Sequence, residues 1–551
     1  PAISLISALL THLLSDPLGR GVVKISVAGG VLTFALAAYL LGLSLMGEDA
    51  HLHMLGSSWG GLLFDPLSVL MALVIAGISL IVRIYSVRYM AEEAGYSRFF
   101  VLLDLMTAAL LVMVAAGDLI TLLVSWYLVG LLLYFLLGHD MRSHSAYRYG
   151  FWTLITYRLG DVPLVLAAML LFHTYGSWSL PVLFERISQN PNAVTFLDLP
   201  VTEVTGALVA LAAFARSAQF LLHTWLPYTM EGPTPVSALM HAGIVNAGGF
   251  LINRFAPVYV YTGDVLHWVF IVGLVTAVIG SVLMLSQNDV KKSLGYSTMG
   301  QMGFMIMECG VGAFSLAIFH LIAHGLFKGT LFLSAGSIIG EARQDDGVPK
   351  DDLYTFIVER QSPSYKQPWL IMAAITLIVP VFVLLISHLA VAPDLFQKQG
   401  AIILLFFGWV TGAQLLFSTY HMKAQNPWRL VGLIIVSFII VVVGYTLISH
   451  AFDQYLYPNP EFATQLYAAA GIDLLSFDVL ITITTFIIVT GWIRVYYTQR
   501  HLGHHDKSVS NIWLNFYALV SREFYINDLY TGLSRNVLAA SSRLNALLRW
   551  G

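Results

Sequence analysis

Apolar stretches of the length that crosses a bilayer, about 20 residues each, recur along the whole chain. They lie near 22–46, 62–82, 99–116, 119–138 and 150–172, then near 204–224, 236–258, 264–286, 297–312 and 314–340. A last group lies near 368–391, 400–420, 428–451 and 473–497, and residues 1–14 add a shorter one. The pattern predicts an all-α polytopic membrane protein of about 14 transmembrane helices. It divides into N-terminal helices over 1–98, a helical block over 99–258, a second over 264–420, C-terminal helices over 428–497 and a tail over 498–551.

One stretch departs from the apolar pattern. Between Arg216 and Arg254, an apolar helix is expected to break at WLPYTMEGPTP and to resume from Val236. Pro227, Pro233 and Pro235 lack the backbone donor a continuous helix needs, and Gly232 loosens the segment. Unpaired backbone at membrane depth survives only where it is buried in protein or lines a wet cavity. Arg216, His223, Glu231 and His241 fall in the same stretch, and all are costly to place in lipid. A broken helix that carries ionisable groups points to an ion path. A Pro-kinked helix with a short surface loop is the plainer reading, but it leaves that coincidence unexplained.

Composition agrees with the pattern. Of 551 residues, 58% are hydrophobic and only 11% charged, against about a quarter charged in soluble domains. The net charge of -3 argues against a nucleic-acid partner. The single cysteine, Cys309, excludes a disulfide framework and any Cys-based zinc or iron–sulfur site. The chain opens on Pro1 and shows no cleavable signal with a basic n-region. Arg83, Arg88 and Arg98 in 83–98, with Arg142 and Arg148 in 139–149, are expected in cytoplasmic loops. The turn at Gly117–Asp118 and the loop 173–203 then fall on the opposite side. Loop 341–367 is mixed in charge and reads as a solvated connector or a docking surface. In the tail, His504 and His505 sit in a basic juxtamembrane cluster, a commoner arrangement than a metal site. Leu529, Leu533, Val537 and Leu544 alternate there with Arg535, Arg543 and Arg549, the pattern of an amphipathic helix on a membrane or a partner.

Polar groups inside the spans carry the candidate chemistry. Arg158 and Asp161, at i,i+3 spacing, can pair on one helical face; a path residue and a structural salt bridge are both open. His320, His324 and Lys328 repeat at i, i+4 and i+8 and form one polar stripe. Such a stripe can pass protons stepwise, since histidine titrates near neutrality. Interhelical hydrogen bonding is the alternative, but a spanning helix rarely carries three such groups without a function. Glu308 and Asp118 are minor candidates. Nucleophilic triads, phosphate-binding loops and dinucleotide fingerprints are missing, so the chain is expected to be a transporter subunit and not an enzyme.

Three long motifs carry a resemblance: RSAQFLLHTWLPYTMEGPTPVSALMHAG, DVKKSLGYSTMGQMGF and IFHLIAHGLFKGTLFLSAGS. They resemble the proton-conducting membrane subunits of respiratory complex I and of Mrp-type cation/proton antiporters. FDPLSVLMALV and EEAGYSRFF extend the similarity, which covers about residues 60–340. The resemblance implies two inverted five-helix repeats, each with a broken helix, around a hydrated polar axis. It implies a path through Asp161, Arg216, Glu231, His241, His320, His324 and Lys328, with Tyr127, Arg158, His223 and Glu308 accessory.

The departures are informative. Tyr127 stands where the family has a glutamate, and Arg216 where it has the lysine that pairs with it. Asn246 replaces a lysine of some relatives. Arginine stays charged, so Arg216 is expected to set a fixed positive field, with Asp161 or Glu231 as counter-charge. Pro380 is a candidate for the second helix break. FYINDLYTG near 524–532 looks like a family motif, and the long lateral helix that follows it in distal complex I subunits is not expected here. Together the departures look most like the membrane subunits of DAB complexes, which accumulate inorganic carbon in bacteria. That likeness implies a bacterial inner membrane, no cofactor or metal in this chain, and a large partner subunit, DabA, with a zinc site like that of β-carbonic anhydrases. A complex I-type or Mrp-type subunit is the alternative.

Overall fold

In a computed structural model, the described residues are 1–47, 50–53, 60–140, 143–195, 198–227, 229, 232–287, 289–342, 451–471 and 511–532, with a few single positions between 447 and 535. Helices dominate them. In chain order these are α1 (Ala2–Leu13), α2 (Val23–Leu45), α3 (Pro66–Tyr89), α4 (Tyr96–Val114), α5 (Leu119–Leu137) and α6 (His144–Tyr175). Next come α7 (Leu180–Gln189), α8 (Val201–Arg216), α9 (Thr234–Leu239), α10 (Ala247–Arg254), α11 (Gly263–Ser286), α12 (Val290–Gly310) and α13 (Phe314–Ala342). Two further helices, α14 (Pro460–Ala469) and α15 (Asn511–Ser521), follow. Among the described residues, 8 helical stretches are long and apolar enough to cross a membrane. Apart from single positions, the spans expected within 368–497 lie outside the described residues, as do the charged loop 341–367 beyond Ala342, Pro380 and the tail histidines.

Caps and prolines set the helix ends. Asp65, Asp118 and Asp289 accept the N–H groups of Ser68, Thr121 and Lys292 at 2.9, 2.8 and 2.8 Å, starting α3, α5 and α12. Inside α6, Pro163 removes one helical donor next to Asp161. Sides are sorted as a bilayer demands. Leu159, Val162 and Met169 of α6 are exposed, whereas Thr153, Tyr157 and Ala167 are buried. Between α11 and α12 the packing is very close: a Cβ on Gly273 or Gly303 would come within 2.4 Å of the facing backbone.

Three expectations need correction, and one small element adds to the helical order. Arg83 is not a loop residue. It lies within α3, 1% exposed, and bonds Asp104 of α4. A two-stranded antiparallel hairpin, β1 (Ala50–His53) with β2 (Gly61–Phe64), interrupts the all-helical order. It is held to the bundle by Asp118, whose Oδ2 accepts the N–H groups of Gly60 and Gly61 at 3.0 Å. The expected loop 173–203 contains α7, amphipathic and buried along Leu180, Leu183 and Ile187. The helix break begins at Ser217, well before the prolines. Ala218 and Leu221 take positive φ values of 49° and 73° there, a conformation costly for residues with a Cβ.

Tertiary contacts hold that early break. Ser217 Oγ donates to the Val245 carbonyl at 2.7 Å, the Phe220 N–H donates to Thr276 Oγ1 at 2.9 Å, and the Trp225 indole donates to the Ala215 carbonyl at 3.2 Å. Gly248 admits this crossing, since a Cβ there would meet Ser217 Oγ at 2.3 Å. The tail also reaches the break, where the Tyr530 hydroxyl donates to the Leu221 carbonyl. As expected, the ends of α4 and α5 share one side, with Arg98 Nη2 donating to the His139 carbonyl at 2.7 Å.

Candidate ion-path site

Two polar clusters line the bundle. The first joins α5, α6 and the end of α8. Arg158 Nη2 lies 3.0 Å from Asp161 Oδ2, and Arg216 Nη2 lies 3.7 Å from Asp161 Oδ1. Arg216 also donates to the Trp126 carbonyl at 2.7 Å. Its guanidinium sits between two rings, 4.3 Å from the Trp126 centroid and 4.1 Å from that of Tyr157. Tyr127 covers Arg158 in the same way, at 3.8 Å. Tyr127 thus offers this cation a π face. A cavity of about 260 Å³ opens beside Asp161, lined by Leu123, Val124, Trp126, Tyr127, Leu128 and Val165.

The second cluster joins α12, α13 and the resumed half of the broken span. His320, His324 and Lys328 lie on α13 as one stripe, with the His320 and His324 rings 6.4 Å apart. His324 is within Coulombic range of His320, Lys328 and His241. His241 lies in a π-helical turn, Met240–Ile244, between α9 and α10, stacked on Phe332 at 4.3 Å. Such turns insert one residue into a helix and are frequent at functional sites. Neither ring nitrogen of His241 or of His324 has a hydrogen-bond partner among the described residues, although all four are buried.

Facing the stripe is α12. His320 Nδ1 lies 3.0 and 3.1 Å from the two carboxylate oxygens of Glu308, and its Nε2 lies 2.9 Å from Gln301 Oε1. Lys328 Nζ donates to Ser297 Oγ at 2.7 Å. Asn246 donates to the Ala242 carbonyl at 2.9 Å. The Val245 N–H closes the π turn by donating to the Met240 carbonyl at 3.0 Å.

The structure therefore brings Arg158, Asp161, Arg216 and Tyr127 together, and separately His241, His320, His324, Lys328 and Glu308. His223 stands apart in the break, buried and stacked near Phe220 at 5.9 Å. Glu231 lies outside the described residues. Asp118 is a helix cap and hairpin anchor, the structural reading of that residue. Among the described residues, no group of three or more His, Cys, Asp or Glu side chains is placed to hold a metal.

Sequence reading overlooked Ser297, Gln301 and a third polar centre. In that centre, Arg83 Nη2 lies 2.7 Å from Asp104 Oδ1, and Ser7 and Ser26 each donate to the same carboxylate at 2.8 Å. A lone acid inside FFVLLDLMTA was the available signal. Just before the span Pro66–Tyr89, Asp65 is gripped through both oxygens by Arg254, the last residue of the span Thr234–Arg254, at 2.6 and 3.2 Å. Burial of Asp65 would raise its pKa, but Arg254 and then Ser68 outweigh it and hold the carboxyl below the ordinary range.

The chain belongs to the family of antiporter-like membrane subunits. A family profile described as NADH:quinone oxidoreductase/Mrp antiporter, TM matches residues 116–413. Another, described as NADH-Ubiquinone oxidoreductase (complex I), chain 5 N-terminus, matches residues 57–100. Within that family, the chain is 60% identical over 552 residues to the probable inorganic carbon transporter subunit DabB1 of Halothiobacillus neapolitanus, covering 100% of this chain and 98% of that one. It is 36% identical over 324 residues to chloroplastic NAD(P)H-quinone oxidoreductase subunit 5 of Ipomoea purpurea, covering 58% of this chain and 43% of the relative. The fold matches a chain of the Mrp complex from Dietzia sp. at a TM-score of 0.56 and 23% identity, covering 100% of this chain and 60% of that one.

Proposed function

We propose that this chain is the cation-translocating membrane subunit of a bacterial inner-membrane complex that takes up inorganic carbon. Protons moving down their gradient through it would energise hydration of CO₂ to bicarbonate by a DabA-like partner carrying zinc. The observation that carries this reading is the 60% identity along the whole chain to an inorganic carbon transporter subunit. The two clusters support a proton route. Arg216, which keeps its charge, sets a fixed field beside Asp161, and Asp161 with Glu231 exchanges protons there. His241, His324, His320 and Lys328 carry them onward along α13. A respiratory complex I-type or Mrp-type subunit is the second reading, favoured by the 36% identity to a quinone oxidoreductase subunit that this chain matches over 43% of its length.

The test is co-expression with a DabA-like large subunit, in cells lacking carbonic anhydrase, scoring growth in air. Growth that requires both chains and collapses with a protonophore supports the carbon-uptake reading. Absence of rescue, with co-purification of redox subunits, supports the respiratory one.

A further inference from the structure

The route above passes through His320 without saying what decides where its proton goes. The side chain placed at that decision is Gln301. One ring nitrogen of His320 faces the Glu308 carboxylate at 3.0 and 3.1 Å, and the other faces Gln301 Oε1 at 2.9 Å. A ring nitrogen that faces an amide oxygen or an ionised carboxylate carries hydrogen, so with Glu308 ionised this arrangement suits the imidazolium, with a proton on each nitrogen.

From that state only one nitrogen empties cheaply. The Nδ1–H bond breaks and an O–H bond forms on Glu308. The neutral acid then donates back to the Nδ1 lone pair, while Nε2–H still donates to Gln301. Emptying Nε2 instead would set its lone pair against Gln301 Oε1. Turning the amide by half a revolution removes that clash, because its NH₂ group then donates to the bare nitrogen. The terminal torsion of glutamine is broad and two-fold, and its two ends are almost the same size.

We infer that Gln301 is a positioning residue whose amide orientation selects the nitrogen through which His320 releases its proton. With Oε1 inward the Nδ1 proton passes to Glu308; with NH₂ inward the Nε2–H bond has broken and an N–H bond has formed on the unpartnered ring of His324, 6.4 Å away between centroids, while the amide N–H donates to the bare Nε2. The selector rests on the ion-path reading. The charged and titratable groups around it are Glu308 from α12, His324 and Lys328 from the ring's own helix, and His241 through His324. Tyr467 of segment 451–471 lies within Coulombic range of Glu308.

The experiment uses the full chain co-purified with its partner subunit, in liposomes holding a pH-sensitive dye. Proton flux is driven by a pH difference imposed in either direction. Gln301→Met keeps the bulk but cannot switch between donor and acceptor, and flux should fall by about tenfold or more. Gln301→Glu places a second carboxylate on the ring, and half-maximal flux should move to higher pH by about one unit. A merely structural residue would lower the yield of assembled complex and leave that pH unmoved. Wild-type flux and pH profile in both variants would overturn the selector alone. A wild-type complex that conducts no protons would overturn the ion-path reading and the selector with it.

Discussion

The two clusters are built from opposite kinds of cation. Around Asp161 the cations are arginines, clamped by rings: Arg216 is 1% exposed between Trp126 and Tyr157, and Arg158 lies under Tyr127. Along α13 they are histidines and a lysine, with Lys328 2% and His324 5% exposed. A guanidinium holds its proton at any physiological pH, whereas imidazole and a desolvated amine exchange theirs. On the proposed route, the arginines of the first cluster would set a fixed field beside Asp161, and the second cluster would carry protons. The third centre, Arg83–Asp104, has neither an exchangeable cation nor an exposed edge. It ties α3 to α4, and through Ser7 and Ser26 to α1 and α2. Ionisable residues at membrane depth thus divide by whether they can release a proton, and burial alone does not separate them.

Exchanging the cations tests this division most severely. Lys328→Ala should abolish proton flux and carbon-dependent growth while leaving complex assembly intact. Lys328→Arg should be nearly as damaging, because it restores charge without exchange. Arg216→Lys keeps the fixed charge and should retain most of the flux; a loss as deep as that of Lys328→Arg would erase the distinction. Asp161→Ala should also stop uptake, since it strips the counter-charge from two arginines. Wild-type uptake in both Asp161→Ala and Lys328→Ala would remove this route. Next in size is Asp104→Asn, which leaves Arg83 buried and unpaired and should cost roughly 3–5 kcal/mol. Thermal unfolding of the purified complex would read it, with the pH dependence of any surviving flux unchanged. The smallest effect belongs to Asp65. Its carboxyl is held low by Arg254, so its stabilising contribution is present above the unfolded-state pKa and is lost as pH falls through the lower folded one. Melting temperature should therefore drop on acidification below about pH 4, and Arg254→Gln should flatten that drop.

Much of this was legible in the chain. Length and apolarity announced the spans, and the i, i+4, i+8 spacing put His320, His324 and Lys328 on one stripe before any fold was known. The Arg158–Asp161 pair needed only three residues of helix. Three things were not legible. Arg83 looked like a loop residue because it lies toward one end of its span, yet a lone acid 21 residues later draws it inside. The break was expected at the prolines, but it starts at Ser217, where Thr276 of α11 accepts the freed Phe220 N–H and the Ser217 side chain bonds the Val245 carbonyl. Glu308 seemed a minor candidate until α12 and α13 were laid side by side.

The physical reason is the range over which each interaction acts. Hydrophobic patterning and helical spacing are written into neighbouring residues, so the chain alone determined that this is a helical membrane protein with a polar stripe on α13. Pairing between groups tens or hundreds of residues apart depends on which helices become neighbours. Arg216 with Asp161, Arg83 with Asp104, and His320 with Glu308 and Gln301 were therefore decided only by the tertiary structure.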